Sequence, residues 1–448
     1  MSNAKFGRLN WTILLLFGLI GQIAWSVENM YFNLFVYDTV AKDLNAVTLM
    51  VQLSGITATV ATLVAGTLSD RRGNRKKYLC YGYAIWGITV ALFGMLSPSL
   101  VQSIFNVELT KAITITLVLV VVGDCVMTLF GSTANDAAFN AWVTDNTKTE
   151  YRGAVEGILS ILPLVAMLAV AGGFGILVEM IGYKLLFLLL GVLISVCGVA
   201  GLFFVKDSPT LQKSGEFKDI LYGFRPSVVK GNKPLYLTLI LVLIYGVGTQ
   251  IFMPYLIIYM KEYLSFSVLE YSAVFAVAIL LGAGVNVYLT RLSDRKDKLK
   301  MLYVACATMA AGLLGMYFTR GMEKTATLLL FGVFGFVMIT GNVLISALCG
   351  STVRDYTPEG AVGKLQGVRM VFSVLVPMLL GPMIGNAINR ARNIPLPDQG
   401  SADVMTTQFI PAPEIFLASA LVILLMLAVV PVLQRVVKKE KVKNEIED

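Results

Sequence analysis

The stretch GTLSDRRGNRKK at residues 66–77 decides the fold, because it places an acid, a glycine and five cations between two apolar runs. The run before it, 46–68, and the run after it, 78–96, are each about long enough to cross ~30 Å of hydrocarbon as a helix. Lipid offers no partners for backbone N–H and C=O groups, so runs of this kind must be helical. We interpret the stretch as a loop between two transmembrane helices.

Similar apolar runs recur along the whole chain of 448 residues, of which 56% are hydrophobic and 14% charged. A soluble protein of this length carries more charge. A soluble helical core would also need polar helix faces, which segments such as 235–246 lack. We therefore predict an all-α membrane protein with twelve transmembrane helices. The predicted spans are 11–37, 46–68, 78–96, 112–140, 153–178, 183–205, 235–259, 269–290, 300–318, 325–349, 364–388 and 413–433.

Lysine and arginine are distributed unevenly over the loops that these spans define. Loops on the side of the two termini hold 28 of the 36 cations, and the opposite loops hold 8. Because cytoplasmic loops are enriched in Lys and Arg, we predict a multi-pass protein of the plasma membrane with both termini in the cytoplasm. The net charge of +8 is then a topology signal, and we expect no nucleic-acid partner.

The chain offers little for metal or cofactor chemistry. It has no histidine, and its five cysteines lie inside apolar runs without metal-ligand spacing. It also has no Walker A motif, so ATP-driven pumping is not expected. We predict no metal, no cofactor and no enzymatic activity. Any proton chemistry must rest on carboxylates, because histidine is the side chain that normally titrates near neutrality.

The two halves of the chain resemble each other. The sequence LSDR follows the second span at 68–71 and the eighth span at 292–295. After the fourth span the chain reads VTDNT at 143–147, and after the tenth it reads VRDYT at 353–357. Such repeats predict two six-helix pseudo-symmetric bundles with substrate bound near the midplane. The predicted domains are an N-terminal bundle at 1–205, a cytoplasmic central loop at 206–234, and a C-terminal bundle with a short cytoplasmic tail at 235–448.

The stretch 66–77 matches the signature G-x-x-x-D-R-x-G-x-R-K of the major facilitator superfamily at every fixed position. With the repeat, the resemblance covers essentially the whole chain. It implies a secondary active transporter that moves a small organic solute by alternating access. It also implies a cytoplasmic gate, built here from Asp70, Arg71, Gly73, Arg75, Asp145, Arg152, Asp294, Arg295 and Asp355. The alternative interpretation is a simple positive patch, which would need neither the acid nor the glycine.

The gate prediction has a specific geometry. Asp70 should face the start of the eleventh span near Lys364. Arg71 or Arg75 should reach Asp145, with Asp136 as the alternative partner. The second copy at 292–295 lacks the Gly and Arg that follow in the first copy, so we expect a weaker gate there.

Two acids, Glu28 and Asp124, lie at membrane depth in the first and fourth spans. Ionisable groups there are costly and are functional candidates. No Lys or Arg lies at the same depth in spans one to six. Desolvation favours the neutral form of a carboxyl group without a counter-ion. We therefore predict that Glu28, Asp124 or both couple transport to protons. The alternative is that both stay protonated and only donate hydrogen bonds.

One face of the first span combines amides with an indole ring, which suits a polar ligand. On a straight α-helix Glu28 flanks this face. Aligning Tyr259 with Tyr37 adds a glutamine from the seventh span, and the tenth span adds an asparagine. The predicted substrate-binding residues are Gln22, Trp25, Asn29, Asn33, Gln250 and Asn342. The alternative role for such amides is hydrogen bonding between helices.

The first span, with Gly21, Trp25 and Asn29, loosely resembles the glycoside–pentoside–hexuronide cation symporters. Members that use sodium carry acids in the second span, whereas 46–68 has none, so protons are favoured. The resemblance implies proton-coupled symport of a sugar or similar polar solute. Proton-coupled efflux of drugs or metabolites is the first alternative, disfavoured because 171–175 lacks the expected proline. A non-transporting membrane sensor or scaffold is the second. We expect a monomer whose partners are the solute, protons and the bilayer.

Overall fold

The computed structural model describes residues 7–147, 152–209, 211, 213, 217–295, 297–358, 365–395 and 409–447. At 152–154, 156, 160, 217–219, 287–288, 290–295 and 440–447 it describes the backbone alone. Over these residues the chain is helical, with one isolated β-bridge between Pro395 and Phe409. The described residues up to Phe217 form one compact unit, and those from Lys218 onward form a second.

The described part of the N-terminal unit contains six long helices, with a short helix at Pro98–Phe105 after the third. They are α1 (Arg8–Thr39), α2 (Leu44–Arg72), α3 (Lys76–Phe93), α4 (Leu109–Asn146), α5 (152–181) and α6 (183–204).

The described part of the C-terminal unit also contains six long helices. They are α7 (Lys233–Tyr263), α8 (Val268–Arg295), α9 (Lys298–Phe318), α10 (Lys324–Tyr356), α11 (Gln366–Arg392) and α12 (Glu414–Glu447). Two short helices, Phe217–Phe224 and Pro226–Gly231, precede α7 inside the predicted central loop.

A helix stands at every predicted span within the described residues. Within the described residues, ten helical segments qualify by themselves, and the bent pair Lys76–Phe93 and Pro98–Phe105 makes an eleventh if it is one span. One of the ten, Gly157–Phe204, is 48 residues long and contains Gly182 at φ 74° and ψ 162°. This backbone conformation suits glycine and separates α5 from α6. The chain is therefore an all-α membrane protein, and its described residues include twelve long helices at the predicted positions.

The two units repeat the same helix pairs. In the N-terminal unit α1 packs on α5, α2 on α4, and α3 on α6. In the C-terminal unit the equivalent pairs are α7 on α11, α8 on α10, and α9 on α12. The α3–α6 contact is close because Gly87 and Gly191 face each other, and a Cβ on either would meet the other's backbone. The same three helix pairs therefore occur in both units, in agreement with the internal repeat that the two LSDR segments indicate.

Several helices are not regular α-helices. Segments of π-helix lie in α1 at Glu28–Phe32, in α4 at Ser132–Phe139, in α5 at Val170–Phe174 and in α7 at Tyr259–Tyr263. A π-turn adds a residue and rotates the side chains that follow it, and such turns occur frequently at functional sites. The prediction of a straight α-helix through the first span is therefore wrong.

Candidate functional site

Two asparagines of α1, one inside the π segment Glu28–Phe32 and one directly after it, differ in exposure. Asn29 is exposed, whereas Asn33 is fully buried. The Asn29 Nδ2 donates to the Trp25 carbonyl at 2.8 Å, and the Asn33 Nδ2 donates to the Asn29 carbonyl at 3.0 Å. Both amide donors thus serve backbone carbonyls of the helix itself. The acceptor atom of Asn33 is buried without a hydrogen-bond partner in the described structure.

Gln22 and Trp25 lie half-buried on the first part of α1. The Trp25 ring packs against Trp86 of α3 with centroids 5.2 Å apart, and Tyr83 meets Trp86 edge-on at 5.5 Å. The Tyr83 hydroxyl donates to the Phe17 carbonyl at 2.7 Å, which ties α3 to α1. The predicted indole of the ligand face is therefore part of an aromatic cluster inside the N-terminal unit.

Glu28 is held by hydroxyl groups from two other helices. Ser54 on α2 donates to Glu28 Oε1 at 3.2 Å, and Thr128 on α4 donates to the same oxygen at 2.9 Å. The Ser54 and Thr128 hydroxyl oxygens are themselves 2.6 Å apart. Glu28 is 8% exposed, and its Oε2 makes no hydrogen bond within the described part of the chain. These three oxygens form a buried triangle that joins α1, α2 and α4.

Asp124 lies one helical turn from Thr128 on α4 and is 1% exposed. Its Oδ1 has no hydrogen-bond partner among the described residues. No ion pair to Lys or Arg is present at either acid in the same residues. The structure therefore brings the two predicted coupling acids into one buried polar group.

Asp136 lies away from the cytoplasmic-gate residues with which the sequence grouped it. It is part of the π segment Ser132–Phe139, where Ser132 and Trp25 are its neighbours. Asp145, at the end of α4, is the acid that contacts Arg75. Asp136 lies within the π segment and not at the end of α4. It therefore belongs to the polar region that α1 and α4 share, as Glu28 does.

Arg75 is the centre of a charge cluster at the start of α3. Its Nε is 2.9 Å from Asp145 Oδ2, its Nη1 donates to the Ser69 hydroxyl at 2.6 Å, and its Nη2 pairs with Asp70. The side chain is only 7% exposed. Burial disfavours the charge on Arg75, but the hydrogen bonds and charges of Asp145 and Asp70 outweigh this and raise the pKa of its guanidinium. The predicted contact between Arg75 and Asp145 is present.

Asp207, after α6, completes this cluster. Its Oδ1 accepts from the backbone N–H of Arg75 at 3.1 Å and of Lys76 at 2.8 Å, so it caps the amino end of α3. Gly73 ends α2 in the left-handed conformation, φ 59° and ψ 43°, which a glycine adopts without strain. The motif residues therefore act together as the connection of α2, α3, α4 and the end of α6.

The structure describes the remaining predicted gate residues only in part. Arg71 is exposed on the last turn of α2. The side chains of Arg152, Asp294 and Arg295, and the whole of Lys364, lie outside the described residues. The contact between Asp70 and the start of α11 therefore stays a prediction.

The C-terminal unit has its own charge contact between the equivalent helices. Lys298, at the start of α9, places its Nζ 2.7 Å from Asp355 Oδ2 and 2.7 Å from the Ser351 hydroxyl at the end of α10. Asp355 is 49% exposed and Lys298 34%, whereas Arg75 is almost fully buried. A lysine thus takes the place that Arg75 has in the first unit.

Of the two predicted ligands in the C-terminal unit, Asn342 lies in a hydrogen-bond network and Gln250 lies outside it. The Tyr245 hydroxyl donates to Asn342 Oδ1 at 3.0 Å, and the Thr249 hydroxyl approaches the same oxygen at 3.5 Å. Gln250 is half-buried, and its Cβ lies where Gly381 of α11 leaves space. Asn342 is therefore part of a small network between α7 and α10, and Gln250 lies at the contact of α7 with α11.

The sequence reasoning missed Ser54, Asp207 and Lys298. A lone serine in an apolar run gives no signal, because small hydroxyl residues are common in membrane helices. Asp207 lies in a Lys-Asp-Ser-Pro segment that reads as an ordinary loop start. Lys298 lies close to the second copy of the motif but not at the position of its missing arginine.

The sequence model of the Major Facilitator Superfamily matches residues 14–382. The chain belongs to this superfamily. It is therefore a multi-pass membrane transporter with a small-molecule substrate, and not an enzyme. No curated protein sequence matches the chain.

Solved structures of transporters share this fold. A single-residue mutant of the nucleoside transporter NupG superposes with a TM-score of 0.68 at 11% identity, covering 95% of this chain and all of the other. A bacterial homologue of the human lysosomal transporter Spinster gives 0.64 at 14% identity, covering 97% and 98%. A bacterial homologue of the iron transporter ferroportin gives 0.62 at 15% identity, covering 94% and 98%. At these identities the likeness shows the fold alone.

Proposed function

We propose that this transporter is a proton-coupled symporter of a small polar solute such as a sugar, with Glu28 and Asp124 as the proton carriers. The observation that carries the proposal is the oxygen triangle formed by Glu28, Ser54 and Thr128. It is buried in the N-terminal unit, and no cation faces it within the described residues.

The number of protons in the triangle supports this role. Three pairs of oxygens lie 2.6, 2.9 and 3.2 Å apart, which are hydrogen-bond distances. Ser54 and Thr128 each bring one hydroxyl proton, so two of the three contacts can be filled. A proton on Glu28 Oε1 fills the third when the donors form a ring, with Glu28 donating to Ser54, Ser54 to Thr128, and Thr128 to Glu28. The site therefore accommodates a protonated glutamic acid better than a bare carboxylate.

The same distances disfavour a metal cation at this point. A hard cation of the size of Ca²⁺ keeps its oxygens about 2.3–2.6 Å away, which in six-coordination separates neighbouring oxygens by roughly 3.3–3.7 Å. The Ser54 and Thr128 oxygens are 2.6 Å apart, which is too close for two ligands of one such ion. This supports protons as the coupling ion, in agreement with the absence of acids in α2 at 46–68.

A polar, hydroxyl-rich solute suits the neutral polar groups that each unit offers. Trp25 offers a ring face and Gln22 an amide on α1, and Asn342 with Tyr245 offers amide and hydroxyl groups on α10 and α7. Amides and hydroxyls both donate and accept, which matches the hydroxyls of sugars. Asn29, Asn33 and Gln250 remain proposed ligands, although the amide donors of the two asparagines already serve the backbone of α1.

The remaining features of the proposal concern the gate and the topology. The Arg75 cluster acts as the cytoplasmic gate, with Asp70, Arg71, Gly73, Asp145 and Arg152 in the first unit and Asp294, Arg295 and Asp355 in the second. The protein lies in the plasma membrane as a monomer with both termini in the cytoplasm, as the distribution of 28 and 8 cations favours. Its domains are 1–205, the loop 206–234, and 235–448.

The test requires a substrate, which a thermal-shift screen against sugars, nucleosides, amino acids and drugs identifies, because a ligand that binds the folded protein raises its apparent stability. Flux is then measured in proteoliposomes with E28Q and D124N, which keep shape and hydrogen bonding. We expect at least one variant to lose accumulation driven by a pH gradient while it keeps exchange of labelled substrate. The matched control is E108Q, an acid-to-amide change at an exposed position. Normal pH-driven accumulation in both E28Q and D124N contradicts the proposal.

A further inference from the structure

The segment between α6 and α7 contains two short helices that pack on the C-terminal unit. The short helix Phe217–Phe224 is a 3₁₀-helix, followed by the helical turn Pro226–Gly231. The Tyr236 hydroxyl donates to the Gly223 carbonyl, and Arg225 lies over the Tyr222 ring at 5.5 Å. These contacts fix the segment to the C-terminal unit.

The inner side of the segment packs against the ends of three transmembrane helices. Tyr222, Val228 and Val229 contact a buried cluster from the first turns of α7 and α11 and the last turn of α10. That cluster consists of Leu235, Tyr236, Leu239, Val353, Leu365 and Val368. Gly367 leaves room for the Ile220 carbonyl, where a Cβ would collide. Because it covers helix ends, the segment lies at the level of the bilayer boundary.

The outer side of the segment combines exposed apolar and cationic side chains. Leu221 is 65% exposed and Phe224 is 43% exposed. A 3₁₀-helix has three residues per turn, so residues i and i+3 point in the same direction and these two side chains share a face. Arg225, Lys230 and Lys233, which follow within nine residues of Phe224, are exposed as well. The segment and the start of α7 thus expose two apolar side chains and three positive charges over a short stretch of chain.

We propose that this surface, Leu221, Phe224, Arg225, Lys230 and Lys233, binds anionic phospholipid of the adjoining leaflet. The cations match the headgroup phosphates, and the two apolar side chains enter the acyl-chain boundary, as in interfacial helices. Free phosphate would bind to the cations only and would leave the apolar side chains of Leu221 and Phe224 exposed to water. A phospholipid offers a partner to both kinds of side chain. The proposal does not depend on the identity of the transported solute.

The experiment uses a tryptophan reporter at the apolar face. The L221W protein is reconstituted into vesicles that contain brominated phosphatidylglycerol or, at the same mole fraction, brominated phosphatidylcholine. Its emission minus that of the wild-type protein isolates the reporter. Each cation near an anionic surface contributes about 1 kcal/mol, or about fivefold. We expect the reporter to prefer phosphatidylglycerol by at least about fivefold, and this preference to disappear when R225Q, K230Q and K233Q are combined with L221W.

Two controls separate this result from general electrostatics. Combining L221W with K111Q, K184Q and K261Q removes the same charge elsewhere and should leave the preference intact. Salt at 0.5 M should reduce the preference in L221W itself, because screening shortens the range of the attraction. Equal quenching by the two lipids, no quenching by either, or a preference that survives R225Q/K230Q/K233Q overturns the proposal. Loss of the preference on adding millimolar inorganic phosphate at constant ionic strength also overturns it, in favour of a free-anion site.

Discussion

Removal of the Arg75 side chain is the sharpest perturbation of the N-terminal unit. R75Q deletes a guanidinium that is 7% exposed and contacts Asp145, Asp70 and Ser69. The bond to the partly buried Asp145 is worth about 1.5–3 kcal/mol and the bond to Ser69 about 1 kcal/mol. Asp70 is 37% exposed, so its pair is screened and adds at most about 1 kcal/mol.

The expected loss in the free energy of unfolding is therefore roughly 2.5–5 kcal/mol. For a unit of about two hundred residues, each kcal/mol shifts the Tm by roughly 2–4 °C, so R75Q should melt roughly 5–20 °C below the wild-type protein. A thiol-reactive dye in detergent measures this, because Cys80 on α3 and Cys197 on α6 are buried and react only on unfolding.

The matched control is K77Q, which removes one charge from an exposed position two residues away. Surface changes of this kind normally alter stability by less than about 0.5 kcal/mol. If R75Q melts within about 2 °C of wild type, or if K77Q falls as far as R75Q, then the cluster does not stabilise the unit as described.

Two further predictions concern the stability of the N-terminal unit, and the first has a control variant in α8 of the C-terminal unit. G21A should lower stability by about 1–3 kcal/mol, because a Cβ there collides with Asn135 and Tyr83, whereas G284A, where nothing lies within 4 Å, should be neutral or stabilising by about 0.5–1 kcal/mol. Equal melting temperatures for the two variants in the dye assay would refute the close approach of α1 to α3 and α4. D207A should cost about 0.5–2 kcal/mol, because the amino end of α3 loses the carboxylate that accepts from two backbone N–H groups. A D207N variant that keeps the cap oxygen should recover most of this loss, and an unchanged Tm in D207A would show that water replaces the cap.

Composition and motif spacing were sufficient for the fold, because the bilayer forces long apolar runs into helices and the motif fixes the loop between α2 and α3. The contact between Arg75 and Asp145 was also predictable, since both positions belong to recognisable loop motifs. The pair of acids could be named because carboxylates at membrane depth are rare.

Local backbone geometry was not predictable from the sequence. The π segment at Glu28–Phe32 has no composition that distinguishes it from α-helix, and the sequence did not indicate that Asn29 is exposed and Asn33 buried there. Ser54 could not be found for another reason. Its role depends on which helices pack together, and periodicity within one helix carries no information about its neighbours.

The Arg75 cluster has an unusual order of assembly during synthesis. Its acids lie 5, 70 and 132 residues away in the chain, the last being Asp207. At about 5–20 residues per second, Asp145 emerges roughly 4–14 s after Arg75, and Asp207 roughly 7–26 s after it. During that interval the five cations of 71–77 are opposed within the stretch only by Asp70. The loop therefore carries nearly its full positive charge while α2 and α3 enter the membrane, and the acids from α4 and the end of α6 reduce this charge only later.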